Sequence, residues 1–271
     1  MISIQTYVPP KLSPLIKSFW WLKVSGDLKG TYVEEIIPDG HHEIVFHFDA
    51  YAQRQRKGQT GWEKDPAIYF TGQNSKSYVH QLKPGAVIYG IRFHPHTQAL
   101  FYDFPAVLAT DKLISFHDII TNDSITSCIA DSPEKTFANL EREFLKKAAA
   151  LQPFDYSFQY VDAVVQQIMR RSGDVKISSL ETVTGVSTRY LEKCFQKYVG
   201  VTPKQFCSLV RFKAFVTHRQ TNPDKTLTAC AHDMGFYDQS QLIHLSRLIT
   251  GSSPKAHFAN TNYINEHFLA R

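Results

Sequence analysis

The spacing of apolar residues changes character once along this chain, close to residue 132. Before that point, β-branched and aromatic runs at 43–48, 67–71 and 86–93 are separated by turn residues such as Pro38-Asp39-Gly40 and Pro84-Gly85. Such runs predict strands in a β-sandwich or barrel. Over 87–93, Val87, Tyr89, Ile91 and Phe93 share one face while Ile88, Gly90 and Arg92 share the other, so Arg92 is expected to look toward solvent or a cavity. The polar, basic stretch 54–64 with its two glycines is expected to be an exposed hairpin tip without a functional role. From Ser132 the period becomes helical. Ser132 as N-cap, Pro133 at the first helical position and the stripe Phe137, Leu140, Phe144 and Ala148 predict a helix over 133–150. That stripe can pack on the β-rich part or pair with its twin in a homodimer. A joint containing Pro153 follows, and the remainder reads as seven or so helices.

The most specific pattern is a duplication in the helical part. Gly185-Val186-Ser187 recurs as Gly235-Phe236-Tyr237, 50 residues on, and Gly200-Val201-Thr202-Pro203 recurs as Gly251-Ser252-Ser253-Pro254, 51 residues on. Each unit is expected to open with a short capped helix, Ser178 and Glu181 forming a capping box in the first and Thr226 capping the second. After the glycine turn comes a longer helix, buried through Leu191 and Phe195 in one unit and through Leu242 with Leu245 or Leu248 in the other. Between the units, Thr202 as N-cap, Pro203 and Gln205 open one long helix over 202–220. Helix, tight turn, longer helix is the helix-turn-helix arrangement, whose second helix fits the major groove of B-DNA. A stiff connector would hold both reading helices on one DNA face, one helical turn or ~34 Å apart.

Charge supports a polyanionic partner for that part. The net charge of +5 lies wholly beyond residue 150: 16 Lys and Arg face 16 Asp and Glu up to Ala150, against 14 and 9 afterwards. No window approaches the ~18 apolar residues of a membrane span, and the first residues lack the basic start and apolar block of a secretory signal. The expected location is therefore the cytoplasm, with no membrane partner. Cys128, Cys194, Cys207 and Cys230 lack C-x-x-C spacing, so neither a disulfide framework nor a zinc finger fits.

Residues 175–259 resemble the DNA-binding domain of the AraC/XylS (arabinose-operon regulator) family. The resemblance rests on Ser187-Thr188-Arg189-Tyr190-Leu191, Phe195, Gly200-Val201-Thr202-Pro203 and Arg211, then Gly235-Phe236-Tyr237-Asp238-Gln239-Ser240 and Ser253-Pro254. Upstream, Pro9-Pro10, Phe19-Trp20-Trp21, Ile37-Pro38-Asp39-Gly40 and Gly90-Ile91-Arg92-Phe93 resemble a cupin-like sensor domain found in some members. The resemblance implies an α+β multidomain protein: a β-rich, cupin-like sensing or dimerising domain over 1–151 ending in a helix, then an all-α domain over 152–271 with two helix-turn-helix units joined by a long helix. Its implied partners are double-stranded DNA, a small-molecule effector of the N-terminal domain and, for an activator, RNA polymerase. The family usually carries an aromatic residue where this chain has Ser246 and a basic one where it has His244, which implies a less tightly packed or less discriminating second unit.

Setting aside Tyr190, Leu191, Cys194 and Phe195 as buried leaves Thr188, Arg189, Glu192, Lys193 and Gln196 on the outer face of the first reading helix. Arg189 or Lys193 can donate to guanine and Gln196 can pair with adenine. Glu192 can accept from cytosine or orient Arg189. The second helix exposes Gln239, Ser240, Gln241, His244 and Arg247. Lys204 and Lys255 follow the prolines at two helix N-termini, where phosphates are favoured. Lys176 and Arg211 are further candidates, although Arg211 can equally brace the units through an internal carboxylate. Trp20, Trp21 and Phe19 read as core or domain-packing residues. Seven of the twelve histidines lie before residue 118, among them His41, His42, His47, His80, His94 and His96. A cupin-type metal site is the rival reading, a metal-dependent enzyme fused to a DNA-binding domain. Pro95 and the turn before His41 count against it, so the expectation is no metal, no cofactor and no catalytic residues.

Overall fold

The computed structural model describes residues 2–48, 52–120, 123–259 and 263–269. Among them, six antiparallel strands form one sheet in the order β1 (Ile2–Tyr7), β2 (Ile16–Val24), β9 (Val87–Phe93), β4 (His42–Phe48), β7 (Ile68–Thr71) and β10 (Leu113–Ser115). A smaller sheet has the order β3 (Tyr32–Ile36), β8 (Tyr78–Leu82), β5 (Ala52–Arg56) and β6 (Glu63–Lys64). The alternation read along 87–93 becomes two cores. Tyr89, Ile91 and Phe93 lie with Ile44, Phe46 and Phe19 on the outer face of the large sheet, whereas Ile88 lies with Leu22, Val45, Leu82 and Ala52 between the sheets. Arg92 points into a cavity on that inner side.

Two helices complete the β-rich part: α1 (Phe116–Ile119) and α2 (Pro133–Ala149). Ser132 caps α2 by accepting the Lys135 N–H at 3.3 Å. The α2 stripe Phe137, Leu140 and Phe144 is buried in the outer core of its own domain, with Phe144 against Phe19, Phe93 and Phe101. This overturns pairing of the apolar stripe with a second copy: the sheet already covers it.

The stretch 54–64 is also not a simple exposed tip. Residues 57–62 are turn-like and 57–64 exposed, while strand alternation along β5 turns Arg54 inward to 1% exposure. There its guanidinium donates to both carboxylate oxygens of Asp65, at 2.7 and 2.8 Å. Burial disfavours the Asp65 charge, but Arg54 outweighs it and holds the carboxyl well below the usual range.

Among the described residues eight α-helices follow: α3 (Tyr156–Arg170), α4 (Ser179–Thr184), α5 (Thr188–Tyr198), α6 (Pro203–Thr221), α7 (Leu227–Asp233), α8 (Gln239–Thr250), α9 (Pro254–His257) and α10 (Tyr263–Leu269). The predicted connector is α6, opened by the Thr202–Gln205 capping box. It is buried on two sides. Phe206, Cys207 and Val210 enter a core with α3, α4 and α5, while Leu209, Phe212, Phe215 and Val216 enter a second core with α7, α8 and α10. One continuous helix therefore carries both units, and neither can turn about it without exposing apolar surface.

Candidate nucleic-acid interface

In the first unit, α4 ends at Gly185, whose φ of 71° lies in the left-handed region where a side chain is strained, and α5 begins after Ser187. Ser187 accepts the Tyr190 N–H at 3.4 Å. The expected capping box at Ser178 and Glu181 does not form. Ser178 is already helical (φ −61°, ψ −25°), because the turn starts upstream with Ser179 N–H bonded to Lys176 O. Glu181 instead reaches across the turn and accepts both the backbone N–H and the hydroxyl of Thr188, each at 2.6 Å. Those bonds, the hydroxyl's first, hold its carboxyl below the ordinary carboxylate range. The second unit repeats the geometry with other residues: Thr226 caps α7, Gly235 turns with φ 72°, and Asp238 caps α8. Gln241 Oε1 accepts the Tyr237 N–H at 3.1 Å.

On α5, Leu191, Cys194, Phe195 and Tyr198 form the inward stripe, while Arg189, Lys193 and Gln196 are exposed and Thr188 and Glu192 half-buried. Tyr190, expected inside, is 44% exposed. It lies one residue ahead of a stripe running i, i+3, i+4, i+7 from Leu191, which leaves it at the edge. On α8, Gln239, Ser240, Gln241, His244 and Arg247 are all exposed, Leu242, Leu245 and Ile249 are buried, and Leu248 is 51% exposed. Ser246 is fully buried and donates to the Ser252 carbonyl at 2.9 Å, so a hydrogen bond closes the unit at that position. Lys204 and Lys255 are exposed in the first turns of α6 and α9, and Lys176 is exposed ahead of α4. Arg211 is a brace. Its guanidinium lies 4.4 Å from the Phe236 ring centre, donates to the Gly235 carbonyl at 2.5 Å and stands 3.9 Å from Asp174.

The β-rich part holds both units at equivalent places. At the end of α5, His42 Nε2–H donates to the Val199 carbonyl at 2.9 Å and the Thr110 hydroxyl to the Gly200 carbonyl at 2.7 Å. At the end of α8, the Ser77 N–H donates to the Ile249 carbonyl at 2.8 Å. Nearby, Glu35 lies 3.3 Å from Lys57 and 3.5 Å from His257. Nothing in the sequence pattern marks the grips at Val199, Gly200 and Ile249, because they join residues 157, 90 and 172 positions apart. Tyr237 is 94% exposed at the second turn, an aromatic surface that its place in Gly235-Phe236-Tyr237 marks in the sequence.

The histidines of the β-rich part are spread over several partners, and of His41, His47, His80, His94 and His96 only His47 and His80 share one. His41 meets the Phe93 carbonyl, His94 the Ser13 carbonyl and His96 the Asp162 carboxylate, while His47 and His80 flank Asp65. Among the described residues, no three His, Cys, Asp or Glu side chains converge as a metal site.

Comparison with known proteins agrees with this geometry. Residues 180–260, spanning both units and the connector, match a family described as "Helix-turn-helix domain". The helical part of the chain therefore carries a helix-turn-helix domain. The chain is a DNA-binding transcriptional regulator. Residues 5–115 match a family described as "Domain of unknown function (DUF6597)". No curated protein matches the chain. Solved structures similar to the regulator include ToxT from Vibrio cholerae, at 12% identity over 96% of this chain and 99% of that one, with a TM-score of 0.46. Wild-type ToxT with bound unsaturated fatty acid, from Vibrio cholerae, has 11% identity over 96% of each chain and a TM-score of 0.44. The AraC-like transcriptional activator CuxR has 13% identity over 76% of this chain and 92% of that one, with a TM-score of 0.27. Among the described residues, no helix is long and apolar enough to cross a membrane.

Proposed function

We propose that the regulator lays α5 and α8 in two successive major grooves on one face of duplex DNA, about ~34 Å apart. In this reading residues 152–271 read DNA, and residues 1–151 sense a small-molecule effector. The observation that carries it is the matched pair of exposed reading faces on one doubly buried connector. On α5, Arg189 and Lys193 donate to guanine, Gln196 pairs with adenine, and Glu192 accepts from cytosine or orients Arg189. Thr188, its hydroxyl given to Glu181, sets the start of the helix. On α8, Gln239, Ser240, Gln241, His244 and Arg247 form the second reading face, where Arg247 alone carries a fixed charge. Lys204 and Lys255 neutralise phosphates beside the helix ends.

The grips at Val199, Gly200 and Ile249 support control by the β-rich domain, since an effector that shifts that domain shifts the ends of both reading helices. The place of action is the cytoplasm. As an activator, the protein meets RNA polymerase while bound to DNA, and a second copy joins through a surface other than the apolar stripe of α2. Selection of bound duplexes from a random pool tests the reading. The expected product is a site with two half-sites one helical turn apart; enrichment of a single half-site, or of none, sinks it.

A further inference from the structure

A cavity of about 100 Å³ lies between the two sheets and is closed by α10. Its wall is apolar at Leu22, Val45 and Ile88, with a polar side at Thr71, Gln73 and Arg92. Thr71 Oγ1 and Gln73 Oε1 are buried without a hydrogen-bond partner in the protein, on side chains only 8% and 1% exposed. Arg92 stands between Glu43 at 2.9 Å and the Asp39 carboxylate. The closing helix puts Phe268 into a slot between Trp20, edge-on at 5.3 Å, and the Arg92 guanidinium, 4.9 Å from the ring centre. Further hydrogen bonds fasten it. Glu34 accepts the Ile264 and Asn265 N–H groups at 2.9 Å each, and the Asn265 side chain accepts the Ile37 N–H at 3.1 Å. The far side of α10 belongs to the reading half: Leu269 is buried with Phe215 and Val216 of α6, and its carbonyl accepts from Thr217 at 3.4 Å.

We propose that α10 is a displaceable lid whose Phe268 occupies the ligand slot. An uncharged small molecule with a planar apolar ring and one hydrogen-bonding group competes for that slot, frees α10 and so loosens the connector. The ring replaces Phe268 between Trp20 and Arg92, and the polar group meets Thr71 or Gln73. A charged ligand is not called for, because the buried arginine already has two carboxylates. Empty apolar cavities somewhat larger than this one bind benzene-sized rings, and Phe268 leaving its slot adds the space of one more ring. The inference rests on the effector reading above and deepens it.

Indole is the probe, since it is planar and neutral and has one N–H to offer Gln73. With the full-length protein, calorimetry should show indole binding, and saturating indole should speed hydrogen exchange at the Ile264 and Asn265 amides about tenfold. Phe268→Ala should bind indole about tenfold more tightly, because the competing ring is gone. Should that variant fail to fold, Glu34→Gln keeps the cavity wall and weakens only the fastening; it too should bind indole severalfold more tightly. Indole bound with unchanged exchange, or with equal affinity in the variants, overturns the lid while leaving an effector site in the domain standing. No binding to any of the three proteins overturns the ligand slot itself. Toluene binding as tightly as indole overturns the polar half of the assignment.

Discussion

Gly200 and Gly251 hold equivalent places in the two units, both with positive φ (92° and 67°), yet alanine should not cost the same at each. Either substitution forces a Cβ into the left-handed region, which costs about 1–2 kcal/mol. At Gly251 the new Cβ would meet Lys57, its amine at 2.8 Å, and a lysine end can swing into solvent. At Gly200 it would meet Thr110 Oγ1 at 2.7 Å and the Ala106 carbonyl oxygen at 3.0 Å. The backbone there is fixed by the 3-10 turn Ala106–Ala109, and the threonine is the one that donates to Gly200. Relief needs the β-rich domain to move off the end of α5, an overpacking cost of roughly 1–3 kcal/mol beyond the strain. Gly200→Ala should therefore lose about 2–5 kcal/mol and Gly251→Ala about 1–2. Thermal denaturation would show drops of about 5–12 °C and 2–5 °C respectively. Hydrogen exchange at 199–201 should rise in the first variant only. Equal losses, or a larger one at Gly251, would refute the claim that the β-rich domain grips the first unit at Gly200.

Arg189→Ala should cost about 1–3 kcal/mol on a selected site and relax preference at one position, whereas Lys204→Ala should weaken all sequences alike and lower the salt slope by about 1; binding titrations at several salt concentrations separate the two. Arg211→Ala removes a charge-assisted bond and a ring contact worth together roughly 2 kcal/mol, and should loosen the second unit, read as faster exchange at 235–237 with the first unit unchanged. Asp65→Asn leaves Arg54 buried without its counter-charge and should cost about 3–5 kcal/mol in denaturant unfolding. Acid should release the first unit before the second. Burial lowers the His42 pKa to about 4 from an ordinary 6.5, so the stability of burying this ring neutral beside Val199 is complete above 6.5 and is lost as pH falls toward 4. Burial alone would raise Glu35, but His257, Ser77 and Lys57 outweigh it and lower it to about 2, so its share is lost only between about 4.5 and 2. Limited proteolysis at pH 5 should cut near Val199 and spare the end of α8.

Most of the reading half was legible because it is made of local signals. Caps and prolines at Thr202, Thr226 and Ser253 act within one turn, and the glycine repeat marks two units by spacing alone. Ser178 failed for a reason that is also local: the helical turn began upstream and took its backbone away from the capping geometry. Arg54 failed for a non-local one. A basic stretch reads as exposed unless its counter-charge is known, and Asp65 is brought to it by the β5–β6 hairpin.

The order of secondary elements, the duplicated units and the outward faces of α5 and α8 follow from periodicity and capping, which neighbouring residues set among themselves. Three things were decided only in three dimensions: which core takes the α2 stripe, which carbonyls at the helix ends meet His42, Thr110 and Ser77, and which helix closes the cavity. Each depends on surfaces far apart in sequence being buried against one another. Apolar patterning says that a face must be covered, but not by what, because burial is non-directional and the partner is selected by the packing of the whole chain.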